Sequence, residues 1–170
     1  QIVKNVSFWP NLLNLDSPIL ALIWQEQFAR IASINLTLGD RMLLFFCTWL
    51  VYCADRLLDA LNSEIKTETG RHKIHQKGQK IWLGISAFFL VISLILAINC
   101  LNSLAWIAGV VVFSLTALHF VATHWLPVFR IPIWPKEWHV GVVFSMGCSI
   151  QVWSLGPDAW INLILPAFSF

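Results

Sequence analysis

The chain has 170 residues, 58% of them hydrophobic and only 12% charged, with a mean hydropathy of +0.71 and a formal net charge of +2. Soluble domains are about half apolar and about a quarter charged. The composition therefore excludes an ordinary water-soluble globule, and so small a net charge gives no argument for nucleic acid as a partner. What remains is an integral membrane protein with the lipid bilayer as its first partner, and the ten tryptophans suit that class because Trp concentrates at membrane interfaces.

Residues 1–17 mix Lys4 and three Asn with Phe8, Trp9, Leu12, Leu13 and Leu15. This pattern suits a segment lying in the interface and lacks the long apolar core of a cleaved secretory signal. Ser17 as a cap and Pro18 in the first turn open a first helix, expected to run to about Asn35. Gln25, Glu26, Gln27 and Arg30 interrupt its middle. Glu26 and Arg30 stand four apart and are expected to pair and orient the helix in a bundle, or else to line a polar cavity.

Leu38-Gly39-Asp40 reads as a short turn, and a second helix is predicted over about Arg41 to Leu61. Its run Met42–Leu50 would be content in lipid. The stretch 62–80, NSEIKTETGRHKIHQKGQK, is the long polar loop. Ile81–Ile98 then comes close to the length needed to cross a bilayer. Asn99–Asn102 is an uncharged turn, and Ser103 to about Trp125 makes the next span. Pro127, Pro132 and Pro135 mark 126–137 as a loop. Trp138 to about Leu155 spans again, Gly156-Pro157-Asp158 turns, and a further helix starts at Trp160.

The predicted fold is all-α, a polytopic transmembrane helix bundle with five complete crossings and the start of a sixth in one domain over 1–170. The chain begins with Gln and ends inside an apolar run, Trp160–Phe170, which is compatible with a longer parent chain. Lys66, Arg71, Lys73, Lys77 and Lys80 load the 62–80 loop, and Arg130 and Lys136 load the 126–137 loop, whereas the turns at 99–102 and 156–159 carry no Lys or Arg. Lys and Arg mark cytoplasmic loops. The N-terminus, both basic loops and the far end of the second helix are therefore expected at the cytoplasmic face.

That helix end, Tyr52-Cys53-Ala54-Asp55-Arg56-Leu57-Leu58-Asp59, is where chemistry is expected. Residues three, four and seven apart share a helical face, so Tyr52, Asp55 and Asp59 line up. Two carboxylates one turn apart repel unless a cation lies between them, and that cation is either a side chain or a divalent metal. Carboxylates beside the basic loops suit a diphosphate on a lipid tail. Mg²⁺ would bridge Asp to phosphate oxygens, and Arg and Lys would take the remaining ones.

In these residues the chain resembles the UbiA superfamily of intramembrane prenyltransferases, whose members carry N-D-x-x-D-x-x-x-D at the cytoplasmic end of the second helix. Asp55 and Asp59 match its later Asp positions, Tyr52 stands for the first Asp, and Val51 stands for the Asn. The family's basic loop R-x-x-x-R-P-L is approximated by Thr67–His72, with Arg71 matching the second Arg and His72 departing from the Pro. Trp134-Pro135-Lys136-Glu137, followed by Gly141 and Gly147, looks similar to the family's aromatic-Pro-x-x-K-R segment and Gly-spaced helix. The similarity covers about residues 18–155, the first five helices of a longer fold. The family's second Asp-rich sequence does not occur in these residues.

The resemblance implies Mg²⁺-dependent transfer of a prenyl group from a prenyl diphosphate, or another isoprenoid lipid, to an aromatic or quinone-type acceptor. Asp55 and Asp59 would be the catalytic metal ligands. Tyr52, Arg56, Arg71, His72 and Lys136 would bind substrate. The lost Asp and the high aromatic content support an alternative, a catalytically inactive relative serving as a subunit of a larger membrane complex such as a pigment-binding or electron-transfer assembly. A transporter using the polar residues of the first helix is a weaker third reading.

Other polar and small residues read more plainly. Cys47, Cys53, Cys100 and Cys148 form no CxxC pair and are expected to be small buried residues. His119 and His124, five apart, do not share a metal-ligand face and are expected in packing or interface hydrogen bonds. Gly141 and Gly147 are expected to permit close helix packing. Asn5-Val6-Ser7 and Asn35-Leu36-Thr37 match the glycosylation triplet, a pattern short enough to occur by chance.

Overall fold

The computed structural model describes residues 15–62, 79–124 and 136–156, without the side chains of 59–62, 79, 124, 136, 137 and 139. The predicted interfacial segment, both basic loops and the sixth helix fall largely outside these residues. Within them the regular structure is entirely helical: α1 Asp16–Ile31, α2 Leu38–Asn62, α3 Gln79–Cys100, α4 Ser103–His124 and α5 Lys136–Leu155. Two of the five, α3 over Lys80–Cys100 and α4 over Ser103–Thr123, are long and apolar enough to cross a membrane. α1 has 16 residues and the apolar part of α5 runs only Val140–Leu155, both short of the roughly 20 residues that a perpendicular crossing takes.

α2 is the hub of the bundle. It packs against α1 and α3 along much of its length and also meets α4 and α5, while α5 lies against α1 and α4. The run expected to face lipid is therefore partly interior, and Leu43, Trp49 and Cys53 are buried. Along the α2–α3 seam Phe46 stacks on Phe89 with ring centroids 4.8 Å apart, and Trp49 meets Phe89 edge-on at 5.2 Å. α3 reaches this seam with Trp82, Phe89, Ser93 and Ala97, whose spacings of seven and four make one stripe. The rest of α3 and of α4 turns large apolar side chains outward, among them Phe88, Ile98, Ile107, Leu118 and Phe113, the last 73% exposed.

Hydroxyl groups on these helices bond back to the preceding turn. Ser93 donates to the Phe89 carbonyl, exposed Ser114 to that of Val110, and Thr116 to that of Val112, each at 2.8 Å. Such bonding satisfies a polar group without solvent, which lipid demands.

The end of the bundle holding the α3–α4 turn is tied by side chains. α2 begins earlier than predicted, at Leu38, because Thr37 and Asp40 form a capping box. The Thr37 hydroxyl accepts from the Asp40 amide at 3.2 Å, and the Asp40 carboxylate accepts from the Thr37 amide and hydroxyl at 2.8 Å. Leu38-Gly39-Asp40 is thus the first helical turn, and the connection lies before it. Gln151 of α5 donates to the other Asp40 oxygen at 2.6 Å and to the Cys100 carbonyl at 3.2 Å. Asn102 caps α4 by accepting from the Ala105 amide, and it also donates to the Ser154 carbonyl.

α1 departs from prediction at both ends. It starts at Asp16, with no side-chain cap from Leu15, so Ser17 lies inside the helix instead of capping it. It ends at Ile31, four residues early. Ser33 takes a left-handed φ of 56°, and the amides of Ser33 and Ile34 donate to the Arg30 and Ala29 carbonyls, which is a Schellman closure. Ile34 then packs on the small cluster of Ala29, Leu36 and Val152. The predicted Glu26–Arg30 pair does not form: Glu26 pairs with Arg41 of α2, and Arg30 is exposed. Across the helix axis an Arg one turn beyond the α2 cap outcompetes the local i, i+4 partner.

Candidate functional site

α2, α4 and α5 wall a partly open cavity of about 180 Å³. α2 contributes Leu44, Cys47, Thr48, Val51, Tyr52 and Asp55, α4 contributes Val112, Thr116, His119 and Phe120, and α5 contributes Val140, Val143, Phe144 and Gly147. The three helices fix its polarity. α2 and α4 run parallel to each other and antiparallel to α3 and α5, so the wall residues rise together toward the ends of α2 and α4 and the start of α5. Leu44, Val112 and Gly147 lie at one end, and Tyr52, Asp55, His119, Phe120 and Val140 at the other. From Leu44 to Asp55 the helix rises about 16 Å. The Leu44 end is thus apolar, and Tyr52, Asp55 and His119 gather at the other.

Two of the sequence-predicted site residues, Tyr52 and Asp55, are brought together on this wall, as the spacing of three along α2 requires. Asp59 follows four positions later on α2, with its side chain outside the described set. Arg56 is not on the cavity wall. Its Nε is buried and finds no hydrogen-bond partner among the described residues. A buried guanidinium N–H normally has a partner, so the groups that would meet it lie outside the described residues or in a ligand. Lys136 opens α5 one turn before Val140, and its side chain, like Arg71 and His72 as whole residues, lies outside the described set.

Asp55, Tyr52, Thr48 and Thr116 supply oxygen, the element Mg²⁺ prefers, and Mg²⁺ is commonly held by one or two carboxylates with the remaining positions taken by phosphate and water. The set fits that pattern with Asp55 as the carboxylate. Among the described residues no three His, Cys, Asp or Glu side chains converge on one point. The cavity is therefore not a self-contained metal cage, and a metal there would need ligand oxygens to complete its shell.

His119, expected in packing or interface hydrogen bonds, lies on the cavity wall with its ring 6.2 Å from that of Phe120, and Gly147 lines the same cavity. Among the described residues a Cβ built on Gly147, or on Gly141, meets nothing within 4 Å, so neither shows the expected close helix packing there. The signal for His119 was present in its spacing of three from Thr116, which puts both on one face of α4. No periodicity in α4 alone could show that this face meets Asp55. Of the four free cysteines, Cys53 and Cys148 are buried as expected, whereas Cys47 lines the cavity and Cys100 is half-buried. Comparison with family models, with curated proteins and with solved structures finds no match for the chain.

Proposed function

We propose that the chain is a multi-pass integral membrane protein of UbiA-like ancestry that transfers a prenyl group from a prenyl diphosphate to an aromatic or quinone-type acceptor. The observation that carries this is the cavity's polarity: a carboxylate and a tyrosine at one end of a largely apolar wall. That is the outline of an amphiphile whose charged head stays beside the basic segments while its tail enters the bundle. α1, α2 and α5 would cross with α3 and α4, with the Asp55 end of the cavity and the two basic loops at the cytoplasmic face.

Asp55 and Asp59 hold the head from α2, and Arg71 and Lys136 are placed by sequence to contribute positive charge to its phosphate oxygens. Bound Mg²⁺ would supply charge neutralisation for the diphosphate leaving group. As the allylic C–O bond breaks, its electron pair leaves with diphosphate, a bond forms from the allylic carbon to the acceptor, and the acceptor gives up a proton. The apolar walls, Val112, Val143 and Phe144 among them, keep water away from the developing positive charge. In proteoliposomes, transfer from geranyl diphosphate should require Mg²⁺ and fall by at least about a hundredfold in Asp55→Asn and in Asp59→Asn, the range for loss of a positioned charge. Robust transfer by both variants would remove the reading.

A second reading, a non-catalytic subunit of a membrane assembly, is favoured by the apolar outer faces of α3 and α4 together with Tyr52 in place of an Asp. A stoichiometric partner that survives mild detergent, with no transfer activity, would select it.

A further inference from the structure

We infer that the cavity opens sideways between α3 and α4 into the hydrocarbon of the bilayer, and that an acyl chain of a surrounding phospholipid occupies it. The inference does not depend on the transfer chemistry or on the headgroup of the natural substrate. α3 and α4 are joined through only Leu101 and Asn102, yet they do not pack on each other along their length: α3 lies on α2, and α4 lies on α5 and α2. Cys47 of α2 stands between them. Its thiol reaches the Ser93 hydroxyl of α3 on one side, and it shares the cavity wall with α4 on the other. Val51, one turn further along α2, lies on the same face. Both residues line the cavity and both are exposed, Val51 by 37%. The flank of the cavity is therefore open where α3 and α4 part.

Depth and composition decide what lies outside. The two helices that border the opening are the two that are long and apolar enough to cross a membrane, and they turn Phe88, Ile107 and Phe113 outward. Cys47 lies about 14 Å along the axis from the start of α2 at Leu38. That is near the middle of a hydrocarbon layer about 30 Å thick. An opening at this depth meets lipid tails and not headgroups. Inside, a buried water needs about three polar partners. Leu44, Val51, Val112, Val143 and Phe144 offer none, and the Thr116 hydroxyl already donates to the Val112 carbonyl. A lipid tail gains no hydrophobic free energy by leaving lipid for the cavity, but it gains the dispersion contacts that an empty wall lacks. The tail enters through the flank while its headgroup stays in the bilayer interface.

Two measurements on the full chain in phosphatidylcholine nanodiscs test this, with no prenyl diphosphate present, so the result is separate from the transfer reading. The first is quenching of bimane attached to Cys47, with Cys53→Ala, Cys100→Ala and Cys148→Ala removing the other thiols. Lipid brominated on its acyl chains should quench the fluorophore strongly, and iodide in the water should leave it nearly unchanged. Val51→Cys, labelled in the same background with Cys47→Ala, should behave alike, so poor folding of one variant does not decide the outcome. Quenching by iodide at both positions, or by neither agent, overturns the lateral opening. The second is mass spectrometry of the chain released from the nanodisc, which should retain a tightly held phosphatidylcholine. Gly147→Phe, at a wall position where a Cβ meets nothing within 4 Å, and Val112→Phe, from the α4 wall, should each lose that lipid. Equal lipid retention in the unaltered chain and both variants, or none in the unaltered chain, overturns the acyl-chain occupant.

Discussion

Ser33 holds a conformation its side chain disfavours. Its φ of 56° closes α1 and sends the chain into the short connection to α2, and the amides of Ser33 and Ile34 satisfy carbonyls that the helix end would otherwise leave bare. A left-handed residue with a Cβ costs roughly 1–2 kcal/mol, whereas glycine adopts that region freely but loses more entropy on folding. The balance predicts that Ser33→Gly stabilises the chain by about 0.5–1 kcal/mol, seen as a higher Tm in detergent. A lower Tm would contradict the Schellman closure. The sequence did not show this closure because Ser-Ile-Asn carries no glycine to announce it. The α2 start was hidden for a similar reason: Gly39 in Leu-Gly-Asp suggests a turn, and only the reciprocal Thr37–Asp40 bonds reveal a helix N-terminus.

At the scale of the elements, one close approach fixes how α2 meets α3. A Cβ on Gly39 would lie 2.5 Å from the Cys100 sulfur, so the two helix ends touch only because that position is glycine. The sign of Gly39→Ala is diagnostic. In an open helix the change would stabilise by up to about 1 kcal/mol. Against Cys100 it should destabilise by about 1–3 kcal/mol, the usual cost of overpacking. Removing the sulfur with Cys100→Ala in the same chain should recover most of the loss, whereas a fully additive double variant would deny the contact. The positions of the helices were legible in sequence because polar stretches separate apolar ones; α3, α4 and α5 fall within two residues or so of the predicted ends. Pairing between helices was not. Glu26 has a suitable partner four residues away and chooses Arg41, since periodicity describes one helix at a time and says nothing of its neighbours.

The whole molecule joins two unlike surfaces. Outward, α3 and α4 present apolar side chains, and the exposed Ser114 hydroxyl bonds back to its helix, as suits lipid or a membrane partner. Inward, α2, α4 and α5 leave a small cavity whose only described carboxylate, Asp55, stands at the Tyr52 end. The alignment of Tyr52 with Asp55 was readable from their spacing. His119, Thr116 and Gly147 were not assigned to the site, because each becomes a wall residue only when three helices distant in sequence are assembled. A carboxylate on an otherwise largely apolar wall is the feature on which the proposed isoprenoid-diphosphate reading rests.

The most direct measurement of that link is the binding of geranyl diphosphate to the full chain in nanodiscs, with and without Mg²⁺, for the unaltered protein and for Asp55→Asn. The account predicts binding that Mg²⁺ strengthens by about tenfold or more, with the gain lost in Asp55→Asn, since a bridging cation needs the carboxylate as well as the phosphate. Binding of equal strength in both proteins, indifferent to Mg²⁺, would contradict it.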